Sequence, residues 1–264
     1  MTSTTADSSA PSRAARRFGP ALLAAVFWVA VWQVAAWAVH RDFLLASPVE
    51  VARRLGELVI TADFWGTVGW SLLRIVAGFT GAAIVGALLA VLASWSRIAQ
   101  TLIAPLIATI RSAPVVSFII LLLLWADTNV LSALTSFLMV LPIMYANILQ
   151  GIRGRDRALL EAAAVFRVPL LRRVRAIDVP AVVPFFAAAS RVGVGLAWKS
   201  GVAAEVIGVA RGSIGERLYE AKLFLSSADL FAWTIVIIAL SVAGEAFVLW
   251  ALGRAQRRFA GGAS

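Results

Sequence analysis

The sequence contains no cysteine and a single histidine, and only 14% of its 264 residues are charged. The lack of cysteine excludes disulfides, a thiol nucleophile and a thiolate metal site. His40 is the single histidine of a sequence without cysteine, so no second residue of either type could share a metal or a proton with it. We therefore interpret His40 as a surface residue. The sequence also has no Gly-x4-Gly-Lys-Ser/Thr loop, which excludes ATP use by a P-loop in this chain.

Apolar residues dominate instead, at 61% of the chain with a mean hydropathy of +0.89. A bilayer span needs about 20 such residues. Six runs are long enough to span: residues 19–39, 67–95, 101–125, 128–150, 181–205 and 230–252. We therefore predict an all-α polytopic membrane protein with six transmembrane helices over residues 18–258, a disordered cytoplasmic tail over 1–17 and a C-terminal tail over 259–264.

The first run could also be a signal peptide, because Ala36-Trp37-Ala38 is similar to a cleavage site. A signal core is usually about 7–15 residues, however, and this run is longer, which favours a retained helix. Ser47-Pro48 predicts a capped amphipathic helix before the second span. In the third span, Pro105 and Pro114 predict a kink or a break.

A basic loop over residues 151–184 separates the fourth and fifth spans and contains seven arginines. The net charge of +10 could indicate nucleic-acid binding, but arginines clustered between spans indicate a cytoplasmic loop. With both termini inside, cytoplasmic segments hold 14 Lys and Arg against six outside, as the positive-inside rule requires.

The loop pattern predicts a helix–turn–helix at the membrane surface. A helical run starts at Glu161-Ala162-Ala163 and must end at Val168-Pro169, because the residue before proline avoids helical geometry. After the proline, one helical face is expected to be apolar. That face holds Leu170, Leu171, Val174 and Ile177.

This loop, over 151–180, resembles the coupling loop of permease subunits of bacterial ABC importers. Their signature is Glu-Ala-Ala, three residues, Gly, nine residues, then Ile-x-Leu-Pro. Here the same spacing joins Glu161-Ala162-Ala163 to Ile177-Asp178-Val179-Pro180, with Arg167 at the glycine position. Without glycine, either the left-handed turn is lost or Val168-Pro169 ends the helix in another way.

Further stretches resemble the sulfonate, nitrate, taurine and bicarbonate branch of these permeases, which also includes permeases for thiamine precursors. These stretches are Ser47-Pro48-Val49-Glu50-Val51, Ser71-Leu72-Leu73-Arg74, Pro105 through Pro114, Leu141-Pro142 and Ala204-Glu205-Val206-Ile207-Gly208. The resemblance implies a type I ABC importer permease in a bacterial plasma membrane. Its implied partners are a second permease copy or paralogue, a cytoplasmic ATPase dimer that carries ATP and Mg, and an extracytoplasmic substrate-binding protein.

In this family Glu161 would contact the ATPase groove, while the small Ala162 and Ala163 would let the helix sit closely in it. Arg167 could add an ion pair with the ATPase, and the motif positions Ile177 and Pro180 complete the predicted coupling site. No cofactor is expected on this chain itself.

Charged residues inside spans are costly and usually face water or a partner. They are candidates for a translocation path, and a cationic path would suit a small anion. The candidates are Arg111, Ser112, Arg191, Trp198, Lys199 and Glu205. An intramembrane enzyme and an ion-coupled carrier or channel without an ATPase are the alternative functions. The spans of this sequence contain no Ser/His pair, Asp dyad or His-rich metal site, which argues against the enzyme. A carrier or channel would not need the coupling loop.

Overall fold

The structure is a computed structural model that describes residues 13–41 and 43–260. All regular structure in these residues is helical, which confirms the predicted all-α fold. The helices are α1 (Arg13–Val39), α2 (Pro48–Val59), α3 (Ala62–Trp95), α4 (Arg97–Ser112), α5 (Val115–Leu123), α6 (Thr128–Arg153), α7 (Arg157–Val165), α8 (Leu170–Arg173), α9 (Val179–Gly208), α10 (Ile214–Leu223) and α11 (Ser227–Ala260). A π-helical turn, Val174–Asp178, joins α8 to α9.

Five of these helices, α1, α3, α6, α9 and α11, are each long and apolar enough to cross a bilayer. The third predicted span is broken, as Pro105 and Pro114 indicated. α4 and α5 meet at 101°, and together they count as the sixth span. The break follows from Pro114, which pushes Ala113 into extended geometry at φ −77° and ψ 142°.

Both predicted tails are partly helical. Residues 1–12 of the first tail lie outside the described residues, but α1 already begins at Arg13. The sequence Arg13-Ala14-Ala15-Arg16-Arg17 consists of strong helix formers, which explains why the helix starts inside the predicted tail. At the other terminus α11 continues to Ala260, and residues 261–264 lie outside the described part.

The centre of the bundle is a close packing of α3, α6 and α9. Gly78 of α3 lies directly against the Ala133 carbonyl and Ser136 of α6. Gly201 of α9 lies equally close to the Ser132 and Ser136 side chains, so an added Cβ would overlap its neighbour at either glycine. Small residues allow helix backbones to approach closely in lipid, and Gly78 and Gly201 provide that approach here.

The two ends of the bundle differ. We call the end that carries α7 and α8 the loop end, and the end that carries α2 and α10 the opposite end. Ser47 caps α2 with a reciprocal capping box to Glu50, as predicted. By contrast, most of α1 is exposed, and Trp32 ties it to the chain by donating to the Ala46 carbonyl at 3.1 Å.

Candidate functional site

The basic loop folds as the predicted helix–turn–helix. Asp156 caps α7 by accepting a hydrogen bond from the Ala158 amide at 2.8 Å. α7 ends at Val165 and α8 begins directly after Pro169. The helix therefore stops before Val168-Pro169, where the sequence required it to stop.

The turn between α7 and α8 is left-handed even though arginine replaces glycine. Arg167 has φ +49°. Its amide donates to the Ala164 carbonyl at 3.1 Å, and the Val168 amide donates to the Ala163 carbonyl at 2.9 Å. These two hydrogen bonds form a Schellman motif. Arg167 thus keeps the family's turn geometry, at a strain of about 1–2 kcal/mol for an L-residue in this conformation.

The base of the hairpin is fastened by an ion pair. The Arg155 Nη1 donates to Asp178 Oδ1 at 2.5 Å, and its Nε donates to the Ile152 carbonyl at 2.6 Å. The Arg173 guanidinium lies 3.5 Å from the second Asp178 oxygen. Both Arg155 and Asp178 are mostly buried, so this contact joins the end of α6 to the start of α9. The hairpin is therefore held on both sides of its turn.

The tip of the hairpin is apolar and exposed. Four side chains there are between 63% and 82% exposed: Val165, Phe166, Leu170 and Leu171. Of the predicted apolar face, Leu170 and Leu171 are exposed at the tip, whereas Val174 and Ile177 are half-buried nearer the base. A π-helical turn lies at this base, where the Val179 amide donates to the Val174 carbonyl. An exposed apolar patch next to arginines is typical of an interaction surface.

We call the whole hairpin, residues 157–173, the knob. The predicted coupling residues lie on the knob or at its base. Glu161, Ala162 and Arg167 are exposed on the knob, whereas Ala163 is buried against the rest of the chain. Ile177 is half-buried and Pro180 is exposed, both at the knob's base.

The six predicted path residues do not come together. Arg191 forms a long ion pair of 3.8 Å with Glu245 of α11. Lys199 is exposed, while Trp198 is buried against Gly244. Trp198 also lines an apolar cleft of about 710 Å³ between α3, α9 and α11, so its place on a path stays a prediction.

Glu205 lies apart from Arg111 and is fully buried at the opposite end. Its Oε2 accepts hydrogen bonds from Ser71 Oγ at 2.8 Å and from the Gly215 amide at 3.4 Å. Ser71 in turn accepts from the Ile214 amide at 2.9 Å. We call these residues the Glu205 knot. The knot fastens α3, α9 and the start of α10, which is a bracing role.

Arg111 lines a groove of about 500 Å³ between α4 and α6. At the loop end, Arg153 Nη2 donates to Gln100 Oε1 at 2.7 Å across the same groove. The remaining wall is mixed, with polar Tyr145 and Gln150 beside apolar Ala104, Ile107, Ala108, Ala146 and Leu149. Ser112 is exposed and donates to the Thr109 carbonyl at 3.2 Å, outside the groove lining.

No cluster of histidine, cysteine or acidic residues that could hold a metal occurs in residues 13–41 and 43–260. Two surfaces stand out at the loop end: the apolar knob and the groove lined by Arg111 and Arg153.

Comparison with known proteins identifies the family. Residues 82–260, well over half of the chain, match the model of the binding-protein-dependent transport system inner membrane component. The chain belongs to this family. The match covers the second part of α3, all of α6 and α9, the knob and Glu205, so the permease is a multi-pass inner membrane protein.

Relatives of this permease have transport names. It is 28% identical to the putative aliphatic sulfonates transport permease protein SsuC of Bacillus subtilis, over 86% of this chain and 82% of that protein. It is 26% identical to the bicarbonate transport system permease protein CmpB of Synechococcus elongatus, over 68% and 65%. A solved amino acid ABC transporter with histidines has a TM-score of 0.53 at 19% identity, covering 74% of this chain and 93% of that one. That likeness supports the fold of the permease.

Sequence reasoning missed several residues of these sites. Ser71 and Asp178 both lie within stretches that resemble the family, but neither was assigned a contact. Tyr145 and Gln100 carried no signal, because only the packing of α4 on α6 places them beside Arg111.

Proposed function

We propose that this permease is the transmembrane subunit of an ABC importer for a small anion, such as a sulfonate, nitrate or bicarbonate. A thiamine precursor is the alternative substrate suggested by sequence resemblance. The names of two relatives, for aliphatic sulfonates and for bicarbonate, support an anion. The excess of Lys and Arg in the loop and in both tails supports cytoplasmic termini, with the knob in the cytoplasm.

The observation that carries the coupling proposal is the exposed tip of the knob. Phe166 and Leu171 are about four-fifths exposed on a hairpin that is fastened at its base and turn. Burying each side chain in a partner groove would contribute about 1.5–3 kcal/mol, and a rigid hairpin loses little entropy on docking. Glu161 and Arg167, exposed beside the tip, would add charged contacts.

The partner whose groove would receive the knob is a cytoplasmic ATPase dimer, which would hold ATP and Mg. Two permease copies, or this chain and a paralogue, would form the path, since each chain offers one knob. A substrate-binding protein would deliver the anion at the opposite end. ATP-driven closure of the ATPases would move the two knobs together and open the path outward.

Co-purification with the ATPase encoded beside this permease tests the proposal. We expect capture of the ATPase by the wild-type chain and its loss with Glu161→Lys and with Phe166→Ser. Glu57→Lys, at an exposed acid of the opposite end, is the matched control and should leave capture intact. If the wild-type chain holds no ATPase in nanodiscs, the importer proposal fails and an ion-coupled carrier becomes the better explanation.

A further inference from the structure

The groove between α4 and α6 has an unusual charge composition. Its lining includes two arginines, Arg111 and Arg153, and no carboxylate. Neither arginine has an ionic partner within the described part of the chain. Arg153 reaches only the neutral Gln100 side chain. Two guanidinium groups therefore face one open space without internal neutralisation.

Arg111 lies deep along the groove. It belongs to the last turn of α4, about 16 Å along the helix axis from Gln100 at the loop end, given a rise of 1.5 Å per residue. A helix of this length that ran along the bilayer normal would cover about half of a hydrocarbon core of about 30 Å. An arginine at such a depth is costly unless it faces water or a counter-charge. The helix break at Ala113–Pro114 follows immediately, so α4 ends at this level.

The remaining lining suits a small polar ligand. Gln100, Gln150 and Tyr145 carry hydrogen-bonding groups, and Ala104 and Ala108 leave room between the helices. A volume of about 500 Å³ holds a small oxyanion with water around it. Planar guanidinium groups match the oxygens of sulfonates, carboxylates and similar anions.

We propose that this groove is a binding site for small oxyanions on the translocation path, with Arg111 at its inner end and Arg153 at its mouth. The proposal rests on the proposed transport function and adds the residues that the substrate meets. At the opposite end of the bundle, by contrast, Arg54 and Arg217 each contact two acids.

The lack of cysteine allows a direct test with the full chain in nanodiscs. Ala108→Cys places the only thiol in the groove, and Thr109→Cys places it on the adjacent exposed face of α4, outside the lining. Each variant is treated with two methanethiosulfonate reagents, one bearing a sulfonate and the other a trimethylammonium group. We expect the sulfonate reagent to react about tenfold faster at Ala108→Cys, because a cationic cleft concentrates anions.

The preference should fall towards equality when Arg111→Gln and Arg153→Gln are added, and Arg111→Lys should retain it. Rising salt should weaken the preference for the sulfonate reagent when both arginines are present, which tests the role of their charge without any arginine variant. Ethanesulfonate should protect the thiol at Ala108→Cys and leave Thr109→Cys unaffected. Equal rates for the two reagents, or a preference that survives both Gln substitutions, would overturn the proposal.

This assay needs neither the ATPase nor a binding protein, so its result is separate from the co-purification test. Sulfonate preference without ATPase capture would leave the anion site standing and remove the importer coupling. Capture without the preference would leave the importer and remove the site. In the assembled transporter, Arg111→Gln should lower ethanesulfonate uptake while ATPase capture stays normal.

Discussion

The two ends of this helix bundle treat their charges in opposite ways. At the opposite end, Arg54 lies 2.5 Å from Asp229 and Arg217 lies 2.6 Å from Asp63, so both arginines are neutralised within the chain. Glu205 is buried there and held by Ser71. At the loop end, Arg155 alone is tightly paired among the described residues, with Asp178.

The other loop-end arginines face outward without an ionic partner in the described part of the chain. These are Arg97, Arg153, Arg157, Arg167, Arg172 and Arg175. Two arginines at the opposite end are thus neutralised within the chain, which braces the helices, although Arg53 and Arg211 there have no ionic partner among the described residues. The loop end keeps more unpaired arginines and an exposed apolar tip, which suits binding of a partner or a ligand.

The largest expected effect is at the Glu205 knot. Glu205→Ala would leave the Ser71 hydroxyl and the Gly215 amide without their acceptor and open a cavity, so we expect a loss of about 3 kcal/mol of stability. Thermal unfolding in detergent, followed by tryptophan fluorescence, measures it. Glu57→Ala, at a half-exposed acid, is the control and should cost less than about 1 kcal/mol. Equal losses at both positions would show that the Glu205 knot does not brace the bundle.

The next effect is at the base of the knob. A double-mutant cycle on Arg155→Ala and Asp178→Ala should give a coupling free energy of about 1–2 kcal/mol, because both groups are mostly buried and the contact is short. The same cycle on Arg54 and Glu57, an exposed pair at 3.1 Å, should give about 0.3–0.5 kcal/mol. Thermal unfolding again supplies the free energies. A larger coupling in the exposed pair would contradict the ranking by burial.

Arg167 carries the smaller, stabilising prediction. Arg167→Gly should raise stability by about 1 kcal/mol, since glycine adopts the left-handed conformation without the Cβ penalty. Arg167→Ala removes the same side chain but keeps the Cβ, so it should bring no gain. The difference between the two variants in thermal unfolding isolates the backbone strain. ATPase capture measured on the same two variants reports whether the guanidinium itself contributes to coupling.

The last prediction concerns the break between α4 and α5 in the third span. Pro114→Ala should change the free energy of unfolding by less than about 1 kcal/mol, because Pro114 lies at an exposed position of the chain. It should still alter the groove, since Arg111 lies three residues before it. The reagent preference at Ala108→Cys measures this change, and an unchanged preference would separate the groove from the break.

Much of the fold was predictable because it depends on local patterns. The lengths of the apolar runs indicate the spans, Ser47 indicates the start of α2, and Pro114 indicates the break. The motif spacing around Glu161 indicated the knob, and its helix–turn–helix is confirmed. These features depend on neighbouring residues, on backbone geometry and on hydropathy alone.

The charged residues inside the spans show where local patterns end. Arg111 and Glu205 are both ionisable residues in apolar helices, and the sequence placed both on a path. In the structure one lines an open groove and the other is fully buried with Ser71. Their difference depends on which helix faces them, and residue spacing does not contain that information.

The sequence by itself determined a helical permease with six apolar runs and one basic loop, because bilayer thickness, proline geometry and charge retention act on each segment independently. The tertiary structure alone decided which charges are braced and which are free. Close approach at Gly78 and Gly201 sets the rotation of α3, α6 and α9 about their axes. That rotation turns Glu205 towards Ser71, and the seating of α4 on α6 leaves Arg111 beside the groove.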